Sequence, residues 1–362
     1  AYYKANPGVV VNESDILAYY VWIPRYSYKI WETGNSSKGN EQTIEVQFES
    51  TDTISTGTTV DSYITHPAFW WDNDSDGVRE PGEELSGIWV GKFETTGTAD
   101  SPTILPDATS LGNQNVSTQF ATAQKLGGTT YGVSSNSDSH MMRNSEWGAV
   151  AYLSHSKYGV NREVYINNSS LHYTGRSGGN VGGSTPINEI YTDQSATTQY
   201  NSYGYYTWDG YLLNYNTNTK SSTRDLSKVA STTGNITGIY DMSGGVYEYV
   251  MGYYSGASTT WGASLSSNDA GFSRAPDSKY YDDYTTTNSL TACNGGVCYG
   301  HGLSETHAWY GDVAYFVSAN FPWFSRGGYC GDGNNAGVFV FNGSLGYAST
   351  YGFRSVVSFV GA

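Results

Sequence analysis

The stretch Asp72-Asn73-Asp74-Ser75-Asp76-Gly77-Val78-Arg79-Glu80-Pro81-Gly82-Glu83 carries the sharpest chemical pattern in this chain. Acids at its first, third, fifth, ninth and last positions, with glycine at the sixth, match the calcium loop of EF-hand type position by position. Alternate spacing turns successive oxygens toward one centre, and glycine allows the sharp turn between them. The expected ligands are Asp72, Asp74, Asp76, the Val78 carbonyl, Glu80 and Glu83. Pro81 opposes a following helix, and the flanks HPAFWW and LSGIWV read as strands. The expectation is therefore a lone structural Ca²⁺ loop joining two strands, with no helix pair to open. The alternative is an acidic, solvated hairpin tip.

A second oxygen-rich segment is Gly238-Ile239-Tyr240-Asp241-Met242-Ser243-Gly244-Gly245-Val246-Tyr247-Glu248-Tyr249. Its turn lies between two carboxylates, so Asp241, Glu248 and the turn carbonyls can converge on a hard cation that wants roughly six to eight oxygens. Alternatively, Glu248 bonds backbone groups and Asp241 caps a turn. Three cysteines occur, at 293, 298 and 330. The glycines of CNGGVC permit the reversal that a Cys293–Cys298 disulfide needs, and such a bridge suits an exported protein. Cys330 is left over, as a buried small hydrophobe or an exposed thiol.

The elements that must position these groups are mostly strands. Tyr20–Pro24, Ile44–Phe48 and Ile88–Phe93 carry apolar or alternating runs. Helical pattern is scarce: one helix is expected from Asn144, with Glu146 in its first turn, and another over Ser117–Lys125. Residues 165–235 and 255–310 are long, polar and without period. No repeat or linker divides the chain, so an α+β fold is expected as one domain over 20–362. Residues 1–19 form a lead-in, 72–83 the calcium-loop insertion, and 321–358 a candidate ligand-binding region.

Composition narrows the function classes. Formal charge is −15 and the pI about 4.7, so a basic nucleic-acid-binding patch is not expected. Only 14% of residues are charged while 15% are aromatic, which argues for a folded protein with a Tyr, Ser, Asn and Gly surface. No apolar run of about eighteen residues is present, so no membrane insertion by this segment is expected, and AYYKANPG does not read as a signal peptide.

Taken in order, several segments resemble the formylglycine-generating-enzyme type of C-type lectin fold. They are Val21-Trp22-Ile23-Pro24, Ile88 to Thr96, Asn144 to Ala151, the segment 238–249, and Arg326-Gly327-Gly328 followed by Gly352-Phe353-Arg354-Ser355-Val356. The resemblance implies small twisted antiparallel sheets, two helices and many irregular loops, with the N-terminal strand near Val21 meeting the C-terminal one near Val356. It also implies calcium at Asp241, Gly244, Val246 and Glu248, although Gly245 stands where the family usually has Asn. The family's oxidase activity uses a cysteine pair after RGG. Here that stretch holds Cys330 alone, so no enzyme is expected. His301 and His307, six apart beside Glu305, read as hydrogen-bonded histidines, and no nucleophile elbow occurs.

The segment after RGG also resembles the variable region of proteins diversified by retroelements, which use the same fold. Mutation at adenines turns AAY codons into NNY, which cannot encode Lys, Glu, Gln, Met or Trp. None of these five occurs from Tyr329 to Gly352. Its tyrosines, serines, asparagines and glycines form a paratope-like mix, with Ala336, Val338 and Phe339 tying it to the core. The expected ligand face comprises Trp323, Tyr329, Asp332, Asn334, Asn335, Asn342, Ser344, Tyr347 and Tyr351. No Glu-Pro-Asn or Gln-Pro-Asp tripeptide occurs, so calcium-borne sugar recognition of the lectin kind is not expected. The sequence reads as an extracellular or cell-surface adhesin-like or pilin-like domain, on a bacterial or phage particle, that engages a protein or glycan on another cell or virus. The alternative is a structural filament subunit that self-associates.

Overall fold

Apolar residues at alternate positions produce the first sheet. The computed structural model describes residues 10–30, 41–56, 62–74, 76–80, 82–134, 137–177, 205–213, 217, 219–224, 230–255, 270–285 and 298–359. Strand β1 (Tyr20–Pro24) runs antiparallel to the later Gly87–Gly91, and Val21 lies opposite Val90. Ile23, Ile88 and Val90 turn inward, while Trp22 and Trp89 face out as a cross-strand pair. The neighbouring sheet joins β2 (Tyr26–Lys29) centrally to β3 (Glu45–Phe48) and β4 (Ile64–Thr65).

Gly87–Gly91 is β5, and it separates β1 from the C-terminal strand. Ser137–Met141 (β6) completes that sheet on the far side of the C-terminal Ser355–Phe359, and Val356 pairs with both Val90 and His140. The strands near the two ends of the chain thus share one sheet, but they do not touch: β5 lies between them.

The second large sheet is built on β7 (Tyr247–Tyr254), buried along nearly its whole length. It is flanked by β8 (Asp282–Tyr284) on one side and β9 (Trp323–Gly327) on the other, and β9 pairs with β10 (Gly337–Ser344). Tyr351–Phe353 (β11) adds in parallel to the start of β7. Ser355–Phe359 is then β12. With two α-helices and several small antiparallel and mixed sheets among the described residues, the fold is α+β.

Both helices form where expected, but each is capped one or two residues earlier. Helix α1 spans Val116–Lys125, and the Asn115 side chain accepts the Thr118 N–H at 3.0 Å. Helix α2 spans Asn144–Ser154 with Arg143 as its cap. Glu146 reaches back to the Arg143 N–H (2.8 Å), and Asp282 takes the Ser145 N–H (2.7 Å). Two first-turn donors are satisfied in this way, which releases Asn144 to accept from Arg326 Nη1 at 3.0 Å. Helix α2 is buried nearly all round. Gly148 allows this, since a Cβ there would fall on the Gly300 carbonyl.

Two buried arginines tie the layers together. Arg354, between β11 and β12, donates to Gly91 O (2.8 Å), Tyr240 O (2.9 Å) and Glu248 Oε1 (2.6 Å). It thereby links the terminal sheet to β7. Arg326 on β9 donates to Gly302 O (3.0 Å) as well as to Asn144. The Trp147 indole donates to Val338 O at 2.7 Å and locks α2 onto β10. Cys298 is disulfide-bonded and buried, and Cys330 is buried; Cys293 lies outside the described residues.

Candidate functional site

The acidic hairpin begins at Trp70, which bridges Glu84, and Trp71 N–H donates to Glu83 O at 2.9 Å. Between these anchors the carboxylates of Asp72, Asp74 and Asp76 come together, with one oxygen of each within 4.8 Å of the others. Asp72 accepts from the N–H of Asp76 and of Gly77, each at 3.1 Å, so the loop wraps around its first carboxylate. Gly77 adopts φ +74°, the left-handed turn that only glycine takes freely. Glu83 is held apart from the trio. Its Oε1 accepts from Asn73 N–H (2.9 Å), and its Oε2 from the Trp70 indole (2.9 Å) and Glu80 N–H (3.2 Å). Although burial raises its pKa, these donors win, and the Glu83 carboxyl lies below its usual value. Glu80 and Val78 are exposed, and Pro81 is outside the described residues.

The segment 238–249 assembles differently. Asp241, at φ +63°, accepts from Asn167 Nδ2 and Gly175 N–H, both at 2.8 Å. Glu248 takes Arg354, and Val246 N–H donates at 3.0 Å to a third buried acid, Glu94. The Gly244 and Gly245 N–H groups go to Gly327 O and Asn167 O. Asp241 and one oxygen of Glu248 are thus engaged by protein donors, and the N–H groups of Gly244 and Val246 are spent within the protein, while Glu248 Oε2 is buried without a hydrogen-bond partner. Among the described residues, the only group of three that offers one ligand atom each within 4.8 Å of the others is that of the hairpin. The departure at Gly245 has a steric cause: its φ is +72°, and a Cβ would fall against Glu94 Oε1.

Burial drives the pKa of Glu94 well above the carboxylate range, reinforced by Asp241 and Glu248. Asp241 and Glu248 are also raised by burial, and in both Arg354 opposes the rise. One guanidinium therefore serves two of the three buried acids, Asp241 and Glu248. On the other side of the core, His140 bonds Asp138 (3.2 Å) and Glu146 (3.0 Å). Burial would lower its pKa, but Glu146 and Asp138 overcome this and lift it to about 9. Burial would raise Glu146, but His140 and Arg143 hold it at about 2.

The C-terminal segment gathers part of the expected ligand face. Tyr329 and Tyr351 flank Tyr247, with ring centroids 6.0 and 4.8 Å from it and nearly parallel planes. His172 packs on Tyr329 at 5.3 Å. The Tyr247 hydroxyl donates to Asp332 Oδ2 at 2.5 Å, and that oxygen also accepts the Tyr329 N–H. Asn335 is exposed, and Tyr347, 46% exposed, donates to Asn113 Oδ1 at 3.0 Å. The Asn334 side chain lies outside those described. Asn342 is half-buried on β10, opposite Ser325 and beside Phe321 and Tyr315.

Two expected face residues are corrected. Trp323 is fully buried, because its position on β9 points inward, where it packs against Tyr253 (5.0 Å) and Phe272 (5.7 Å). Ser344 is buried too, with its Oγ 2.7 Å from the Tyr249 hydroxyl. Tyr247 and His172 belong to the face and were not expected there. Alternation could have found Tyr247, since it must point away from the buried Glu248 that follows it. His172 arrives from a loop whose course has no local signal. Ala336, Val338 and Phe339 are buried, as the sequence suggests. Cys330 lies beneath the face, its Sγ 3.8 Å from His172 Nδ1. His301 bonds the Tyr284 hydroxyl at 2.6 Å, and Glu305 accepts from Tyr28 and Tyr152 hydroxyls at 2.8 Å.

No family model and no curated protein matches the chain. Among solved structures it is similar to Treponema denticola variable protein 1, at 13% identity over 85% of this chain and 93% of that one, with a TM-score of 0.29. That likeness is too distant to carry its architecture across.

Proposed function

We propose that this chain is a non-enzymatic ligand-binding domain of an extracellular or particle surface, with a C-type-lectin-like organisation of the formylglycine-generating-enzyme type. The observation that carries the reading is the stack Tyr329–Tyr247–Tyr351 on the outer side of a rigid sheet, with Tyr347 and Asn335 exposed nearby in the chain. Stacked tyrosines offer contact area with little rotamer entropy to lose, and neighbouring small polar groups adapt to a partner. The lectin-like organisation is supported by the shared terminal sheet and by the burial of Arg326 and Arg354, the arginines of the two closing motifs.

The partner in this reading is a protein or glycan on another cell or virus. Aromatic anchors of such faces typically account for about 2 kcal/mol or more on truncation. Tyr329→Ala and Tyr347→Ala should therefore abolish retention on arrays of glycans and cell-surface ectodomains while leaving the melting temperature unchanged. Retention that survives both substitutions refutes the assignment of the face. Adenine-directed variation of codons 329–352 is tested by sequencing sibling genomes for a near-copy that differs only at adenines.

The reading also includes a structural Ca²⁺ at Asp72, Asp74 and Asp76. Three carboxylates within 4.8 Å repel one another unless a cation or protons intervene, and hard oxygen donors suit calcium. Glu83 in this reading braces the loop instead of closing the shell.

Self-association in a filament is favoured by one feature. Trp22 and Trp89, 36% and 37% exposed with rings 5.2 Å apart, lie beside the sheet's open edge at β1. Light scattering at high concentration checks it: a monomer that stays monodisperse excludes this use of the pair.

A further inference from the structure

A cleft of about 560 Å³ opens beside the acidic hairpin, with none of the face tyrosines in its lining. It is lined by Trp70, Asp72 and Arg79 of the hairpin and by Lys279, Tyr281, Asp283, Tyr299 and His301. Arg143 also lines it and is 6% exposed. Its Nη2 holds Glu146 (3.2 Å) and makes only long contacts to Ala68 O and Trp70 O, at 3.3 and 3.4 Å. Its buried Nε has no hydrogen-bond partner. A guanidinium carries five N–H donors, so most of this one's capacity is unspent. Arg79 is held in a two-pronged charge pair with Glu84.

We propose that this cleft binds an acidic saccharide unit, with the sugar carboxylate toward Arg143 and Lys279. Lys279 is suited to the task because, among the described residues, its one ion-pair partner is Asp138, 3.9 Å away. A planar carboxylate matches the guanidinium fork better than a single acceptor does. The half-buried rings of Trp70, Tyr281 and Tyr299 offer faces for the apolar side of a pyranose. Asp283, Thr56 and Ser278 are exposed polar groups at the mouth, placed to meet hydroxyls. The size falls within the range of small-molecule sites, roughly 300–1,000 Å³. A simple carboxylate would use the cations and leave the rings bare; a neutral sugar would leave Arg143 unmatched.

The test is a fluorescence and saturation-transfer NMR titration of the intact chain, in calcium-containing buffer, with trigalacturonate. Maltotriose is the neutral counterpart, and a tripeptide with a free C-terminus is the carboxylate without a polyol. Saturable binding of trigalacturonate is expected. Lys279→Met and Tyr299→Ala, both at half-buried positions, should each weaken it at least about tenfold, the loss of one charge-assisted bond or stacking contact. Arg143→Lys should weaken it further, and the other two variants keep the test decisive if that one folds poorly. Equal or tighter binding of the tripeptide or of maltotriose overturns the ligand class. Absence of saturable trigalacturonate binding, or indifference to Lys279→Met and Tyr299→Ala, overturns the site. Tyr329→Ala should leave this binding intact, so its outcome is separate from that of the tyrosine face.

Discussion

Arg354→Met is the substitution with the clearest expected energetics. Methionine keeps the apolar stem but removes the charge that joins Gly91 O, Tyr240 O and Glu248 Oε1. Both partners of the ion pair are fully buried, and removing one member of such a pair costs about 3–5 kcal/mol. Two carbonyls also lose a donor, each worth about 1 kcal/mol or more when left unmet in the interior. The cost is bounded above because Glu248, already raised by burial, can take up a proton instead of remaining charged. A net loss of about 4 kcal/mol follows, a large part of the roughly 5–15 kcal/mol that holds a typical domain together. Urea unfolding followed by tryptophan fluorescence measures it. Glu248→Gln in the Arg354→Met background should recover about half, because the stranded charge is then gone. The deficit should also shrink from pH 8 to pH 5, as Glu248 protonates. A loss under about 1 kcal/mol, or a double variant no better than the single one, would show that Arg354 is not the counter-charge of this cluster.

Other outcomes are equally specific. The His140 pKa is raised to about 9 by Glu146 and Asp138 against burial, so its stabilisation is complete below about pH 6.5 and is lost as pH rises to 9. Glu163, raised to about 9 by burial with Asp312 and Glu41 adding to it, shifts stability the same way as pH rises above about 4.5. Unfolding free energy should therefore fall between pH 7 and 9, and His140→Gln should flatten part of that fall. Gly245→Ala should cost about 1–3 kcal/mol from its left-handed backbone, with more from the clash with Glu94; a neutral result in urea unfolding would dismiss that clash. Chelation should lower the melting temperature, because a cation that binds only the folded chain stabilises it. Asp74→Asn with Asp76→Asn should abolish the chelator's effect, and elemental analysis should find calcium only in the unsubstituted chain.

Sequence pattern located the local features well. The strands at Tyr20–Pro24, Glu45–Phe48 and Gly87–Gly91 follow from alternation and short apolar runs, and the two helices from their polar starts and apolar faces. It misjudged what depends on distant neighbours. Asn144 looks like a cap, but Asp282, far along the chain, takes the Ser145 N–H and leaves Asn144 to Arg326. Asp241 and Glu248 have cation-site spacing, and the pattern gave no sign that Asn167 and Gly175 would donate to Asp241 or that Arg354 would pair with one oxygen of Glu248. Trp323 sits in an aromatic run, and only the pairing of β9 with β7 and β10 decides that it points inward. The hairpin acids are the exception, since their convergence is fixed by spacing within a single turn.

The interval between Arg326 and Arg354 has the layout of a display frame. Each end is riveted by a guanidinium sunk in the interior, and the middle is threaded through it by Val338, Phe339, Val340 and Phe341. Among the described residues, the exposed positions of the interval, Asn335, Leu345, Tyr347 and Ser349, lie in the turns at 329–335 and 345–351. Exchanges at Tyr329, Asn335, Tyr347 or Ser349 therefore alter the outline offered to a partner without disturbing either rivet or the thread. The support of this interval thus lies in its buried residues, and its outward side chains carry little of it.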